Sequence, residues 1–87
     1  MRGVNYSVNI LRSAQKQLAK INREDQQRIF SAIRNLADNP RPAGCIKLSG
    51  RPAWRIRIGM YRVIFEIHDD QLLIVIVAIG NRREVYK

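Results

Sequence analysis

The sequence predicts an α+β fold in the order β-α-α-β-β-β, a helical hairpin packed on one face of a mostly antiparallel twisted sheet. Three observations carry that prediction. Apolar residues from Leu11 to Ala37 recur at helical spacing, whereas from Cys45 onward the period is two. Gly59 and the Asp69-Asp70 pair divide the second half into strands joined by tight turns. The 87 residues, 46% of them hydrophobic, suffice for one core, so the chain reads as a single domain over 1–87.

Taken in order, Tyr6, Val8 and Ile10 alternate with Ser7 and Asn9 and predict a short first strand. Leu11, Ala14, Leu18 and Ile21 then follow a helical period, with Arg12, Lys16 and Lys20 on the other side. Asn22, with Asp25 three residues on, resembles a capping box opening a second helix. Ile29, Ile33 and Leu36 form the apolar stripe of that helix, supplemented by Phe30 and Ala37. The run Asp38-Asn39-Pro40 ends it, because the residue before a proline is pushed out of the α region. Ile46-Lys47-Leu48 reads as a short strand, and Ser49-Gly50-Arg51-Pro52 as a loop.

The next stretch is the one on which function turns. Trp54, Ile56 and Ile58 alternate with Arg55 and Arg57, and Val63, Phe65 and Ile67 with Arg62, Ile64 and Glu66. Between them, Ile58-Gly59-Met60-Tyr61 suits a two-residue type II′ hairpin, which needs a positive φ at its first central residue. Counting outward from that turn sets Arg57 across from Arg62 and Arg55 across from Ile64, with Arg55 diagonal to Arg62. Like charges opposite one another destabilise a sheet, so three converging arginines are a local conflict of the kind that marks functional sites. Their natural counterpart is a phosphate, which the planar guanidinium grips as a fork. Against this stands the simpler reading, arginines solvated on an outer face and partly neutralised by Glu66. Beyond Asp69-Asp70, Gln71 to Ile79 reads as a central strand, and pairing across the turn sets Arg62 opposite Val77. Tyr61, Val63, Phe65, Leu72, Ile74 and Ile76 then face the helices, and Ile64, Val75 and Val77 floor the arginine face.

Composition narrows the function classes. A net charge of +9 on a small domain points to nucleic acid, an anionic membrane or an acidic protein partner. No run reaches the ~18 apolar residues of a membrane span, and the start lacks a signal-peptide core, so a cytoplasmic location is expected. The lone Cys45 has no companions for a disulfide or metal site and reads as a small core or loop residue; no cofactor is expected.

Several local runs together resemble the RelE/ParE toxin superfamily, specifically its RelE-like ribosome-dependent mRNA endonucleases. They are Lys47-Leu-Ser-Gly50, Trp54-Arg-Ile-Arg57, Tyr61-Arg-Val-Ile64, Asp69-Asp70 with its apolar strand, and Gly80-Asn-Arg82 through Glu84-Val-Tyr86. The resemblance implies a RelE-like fold and the toxin of a type II toxin–antitoxin system. Such a toxin cuts mRNA in the ribosomal A site by attack of a ribose 2′-OH on the adjacent phosphate. It also implies that Arg55 and Arg57 stand at two catalytic lysine positions and Arg62 at the transition-state arginine. Arg82 falls on the arginine associated with protonating the leaving 5′-oxygen, and Tyr86 on the aromatic residue that orients and stacks the substrate.

Lys47, Arg51 and Arg83 are expected ribosomal-RNA contacts, acting through charge. The partners so implied are a cognate antitoxin with an acidic or amphipathic segment, the ribosome and mRNA. Arginine does not usefully deprotonate, so Arg55 and Arg57 suit stabilisation of the charged phosphorane and the general base stays unassigned. His68 and Glu66, at ~20 and ~13 Å along the strand from Arg62, are too distant. Tyr86 and Glu84 remain candidates, with Tyr86 expected on a terminal tail. The alternative is a ParE-like toxin of the same fold that poisons DNA gyrase. A plain RNA-binding module is disfavoured by the missing stacking-aromatic motif.

Overall fold

A computed structural model describes residues 5–81. Its elements are β1 (Ser7–Ile10), α1 (Arg12–Ala19), α2 (Arg23–Asp38), β2 (Ile46–Lys47), β3 (Trp54–Ile58), β4 (Tyr61–His68), a 3-10 turn (Asp69–Gln71) and β5 (Leu73–Asn81). The strands form one sheet in the order β1-β5-β4-β3-β2. Every pairing is antiparallel except β1 with β5, which is parallel, and the helical hairpin carries the chain from β1 at one edge of the sheet to β2 at the other.

Local chemistry accounts for the helices. At the start of α2 the Asn22 side chain accepts the Asp25 N–H at 2.9 Å, and its amide donates to the Asp25 carboxylate at 2.9 Å. Glu24 and Asp25 place negative charge at the positive end of the helix dipole. At the other end Asn39, before Pro40, takes an extended conformation (φ −143°, ψ 90°) and stops the helix. Ala14 and Leu18 of α1 and Ile29, Ile33 and Leu36 of α2 are buried against Ile56, Val63, Phe65, Ile74, Ile76 and Ile79 of the sheet. Fully burying such a side chain contributes about 1.5–3 kcal/mol, so this single interface is the main source of stability.

Three expectations are corrected here. Phe30 does not extend the α2 stripe; it is 43% exposed, one position too far round the helix. Leu72 does not join the core either: at φ 52° it closes the turn in the left-handed conformation and is 41% exposed. Finally, Arg62 pairs with Gly80, not Val77. The 3-10 turn delays β5 by two residues, so that His68 meets Leu73, and an irregularity at Ile64/Phe65 adds a third. Val77 is the residue left over, and Ile79 takes the core position beside Val63.

Candidate nucleic-acid interface

The β3–β4 hairpin has the expected register, Ile58 with Tyr61, Arg57 with Arg62, Ile56 with Val63 and Arg55 with Ile64. Gly59 sits at φ +60° and Met60 is not among the positive-φ residues, which is the type II′ pattern. In a two-residue hairpin the closing pair is hydrogen-bonded, so the next pair, Arg57 and Arg62, occupies a non-bonded site. There the Cα atoms approach to about 4.5 Å and the side chains stand closest. Arg55, Arg57 and Arg62 therefore rise from one face, the one turned away from the helices.

Their exposures differ in a way that bears on chemistry. Arg57 is exposed, Arg55 half-buried, and Arg62 only 8% exposed, the one charged residue in the buried class among those described. The Nε atoms of Arg55 and Arg62 are shielded from solvent. A cation whose stem is packed and whose position is fixed on a strand loses little entropy when an anion arrives. On its β5 side Arg62 faces Gly80, a position with no side chain. Arg62 is thus flanked by a cation on one side and a notch on the other. That arrangement can hold a phosphate and oppose its growing negative charge.

The remaining candidates are less concentrated. Lys47 pairs with Trp54, which turns it to the helix side of the sheet, away from the three arginines. Arg51 is exposed in the loop before β3. Arg82, Arg83, Glu84 and Tyr86 lie outside the described residues. At the far end of the open face Glu66 and His68 meet at 2.9 Å and form their own pair. Below the sheet's lower end the Tyr6 hydroxyl donates to Asp69 at 2.6 Å. Arg41 bonds the same carboxylate at 2.9 Å while lying 5.2 Å from the Trp54 ring centroid. Sequence reasoning missed this clasp, and it missed Gly80 as the partner of Arg62. Correct pairing across the 3-10 turn is the signal that reveals the second. Among the described residues no group of three His, Cys, Asp or Glu side chains is placed to hold a metal ion. No described helix is long and apolar enough to cross a membrane.

Comparison with known proteins agrees with this architecture. A putative RelE-like toxin protein of Escherichia coli is 28% identical over 82 residues, covering 91% of this chain and 85% of its own. The toxin in an archaeal RelE–RelB complex from Pyrococcus horikoshii superposes with a TM-score of 0.83 at 26% identity, over 93% of this chain and 99% of that one. A mutant of the E. coli toxin RelE in the free state gives 0.81 at 20% identity, over 95% and 92%. The family model described as the ParE toxin of the type II toxin–antitoxin system parDE matches residues 8–86. With nearly its whole length matched and the β-α-α-β-β-β element order in place, the chain belongs to the RelE/ParE superfamily of toxins from type II toxin–antitoxin systems.

Proposed function

We propose that the protein is a ribosome-dependent endonuclease that cuts mRNA in the A site and so inhibits translation. The observation that carries this reading is the cross-strand pair of Arg57 and Arg62, beside a glycine, on the open face of the sheet. In the proposed step the ribose 2′-oxygen bonds to the adjacent phosphorus and the bond from phosphorus to the 5′-oxygen breaks. A 2′,3′-cyclic phosphate and a 5′-hydroxyl result. The 2′-OH proton leaves to a base not assigned to this chain, and the departing 5′-oxygen gains one, the role that the resemblance gives Arg82.

Arg62, fixed by burial, and Arg57, free to close over the substrate, stabilise the extra charge of the pentacoordinate phosphorus. Arg55 supports the same charge from the diagonal position, and Tyr86 stacks on a base. Lys47, Arg51 and Arg83 contribute sequence-independent attraction to ribosomal RNA; for Lys47 that contact lies on the helix side of the sheet. An antitoxin with an acidic or amphipathic segment is the expected partner that neutralises the basic surface.

The family model, described for ParE, favours a second reading in which the same fold poisons DNA gyrase. Primer extension on mRNA in purified ribosomes separates the two. Cleavage at A-site codons is expected, with Arg62→Ala slower by about 10²–10³, the loss typical of one oxyanion-stabilising donor. An Arg62→Ala protein that cuts as fast as the parent would remove Arg62 from the mechanism. Intact mRNA together with accumulating cleaved DNA–gyrase complexes would select the second reading.

A further inference from the structure

β5 is longer than its neighbour on the β1 side. β1 pairs with Leu73 to Ile76 and stops, so on that side the end of β5 has no described strand beside it. Helix α1 lies there instead, and the Gln17 side-chain carbonyl accepts the Ile79 N–H at 2.7 Å, the bond a further strand would have made. Above this contact the chain leaves a cavity of about 640 Å³, lined by Gln17, Lys20, Asn22, Tyr61, Gly80 and Asn81 among others.

The polar groups of that cavity are arranged rather than scattered. With its carbonyl turned to the Ile79 N–H, Gln17 presents its amino group to the cavity, a pair of donors. Asn22 is spent on Asp25 at both ends. Burial, and after it the nearby Asp25 carboxylate, raises the Tyr61 phenol above its ordinary value, so it stays protonated at neutral pH. What remains for a ligand is the body of a fixed aromatic ring, an amide that donates, and the Lys20 cation. A flat, acceptor-bearing ring attached to a phosphate matches all three.

The cavity is also placed next to the arginine site. Gly80 lines it and is the residue opposite Arg62, while Tyr61 precedes Arg62 and pairs with Asn81. A phosphate on the open face and a ring on the helix side are therefore separated by the width of one strand, at a residue without a side chain.

We propose that this cavity receives the base of the nucleotide adjoining the phosphate held by Arg62, with Gln17 and Lys20 as its specificity-determining residues. The proposal rests on the nuclease reading, and its test has two arms so that the two can fail separately. In the first, the full chain is titrated by NMR with trinucleotides blocked at the 2′ position. The Gln17 side-chain amide and Tyr61 are expected to shift. Gln17→Glu, which keeps the acceptor for Ile79 but removes the donors, and Lys20→Ala should each weaken binding by about tenfold. Unshifted Gln17 and Tyr61 signals at millimolar trinucleotide, or unchanged affinity in both variants, overturn the proposal.

In the second arm, cleavage rates are compared across A-site codons. Gln17→Glu should change the relative rates of codons differing at one position, whereas Arg62→Ala should slow all codons alike. Codon ratios identical to those of the parent overturn the proposal even if cleavage itself is robust. If the parent cuts no codon, the nuclease reading fails and the titration alone decides the cavity. Variants that bind trinucleotide normally but lose an acidic partner peptide would assign the cavity to a protein ligand, and the proposal would fall.

Discussion

The two faces of the sheet are made by alternate residues of the same strands, yet they do different work. On β4, Val63 and Phe65 are fully buried against the helices, while between and beside them Arg62, Ile64, Glu66 and His68 point the other way. The helix side is apolar and redundant: many side chains share one interface, and each contributes through burial alone. The open side carries the charges over an apolar floor that includes Ile64, and on it two arginines are opposed where a sheet built only for stability would separate them. Because the faces alternate, residues adjacent in sequence should have separable effects on folding and on activity.

The sharpest way to break that separation is from the covered face. Phe65→Ala removes a fully buried ring and should cost about 3–5 kcal/mol, a large share of the roughly 5–15 kcal/mol available to a small domain. Urea denaturation would measure it; a loss below about 1 kcal/mol would mean that the helix–sheet interface is not the main support. The open face should respond with opposite signs. Arg57→Glu replaces a repulsive cross-strand pair by an attractive one and should raise stability by about 0.2–1 kcal/mol. The same change should slow A-site cleavage by about 10²–10³, since it removes one charge-stabilising donor and adds a like charge to the phosphate. A variant both less stable and fully active would show that the opposed arginines are neither strained nor used.

How far each region could be read from sequence follows from how local its determinants are. The hairpin tip was legible because a two-residue turn led by glycine admits one register, and that register alone places Arg57 against Arg62. The β4–β5 connection was not. Asp69-Asp70 marks a turn correctly, but nothing in the sequence announces that Leu72 will adopt a left-handed conformation or that Val77 will be left unpaired. The resulting slip of three residues hid Gly80, the other neighbour of Arg62. On α2 the cap was legible because Asn22 and Asp25 interact within one turn, whereas how far round the helix burial extends, covering Ile29 and not Phe30, is set by packing against the distant sheet. Gln17 was invisible for the same reason. It reads as a polar residue of an amphipathic helix, and its task is set by a strand 62 positions away.

A smaller effect tests the covered side at its edge. Asn22→Ala deletes the α2 cap and one of the bonds that orient Asp25, and should cost about 1 kcal/mol. Thermal unfolding would detect it as a lowered midpoint, and the proposed cleavage activity should be unchanged where the protein remains folded. A neutral result would mean that Glu24 and Asp25 hold the helix end through the dipole alone.

The smallest expected effect lies at the clasp that joins both sides at the bottom of the sheet. Arg41, and after it the Tyr6 hydroxyl, hold the Asp69 carboxyl below the usual carboxylate range, against a weaker opposing push from burial. A carboxyl depressed in the folded state binds its proton more readily when unfolded. Its contribution is therefore fully present above the unfolded value of about 4 and is lost as the pH falls through the lower folded value. The same bond raises Tyr6, so its share persists until the phenol ionises at alkaline pH. These groups are substantially exposed, with side-chain accessibilities of 44% for Arg41 and 55% for Asp69, so solvent and salt keep the contribution modest. Unfolding midpoints of the parent and Asp69→Asn should differ most near neutrality and at low salt, begin to approach each other below about pH 4, and converge only below the depressed folded value. Curves that stay parallel down to the acid limit would mean that the clasp acts by packing Arg41 over Trp54, with the charge of Asp69 adding nothing.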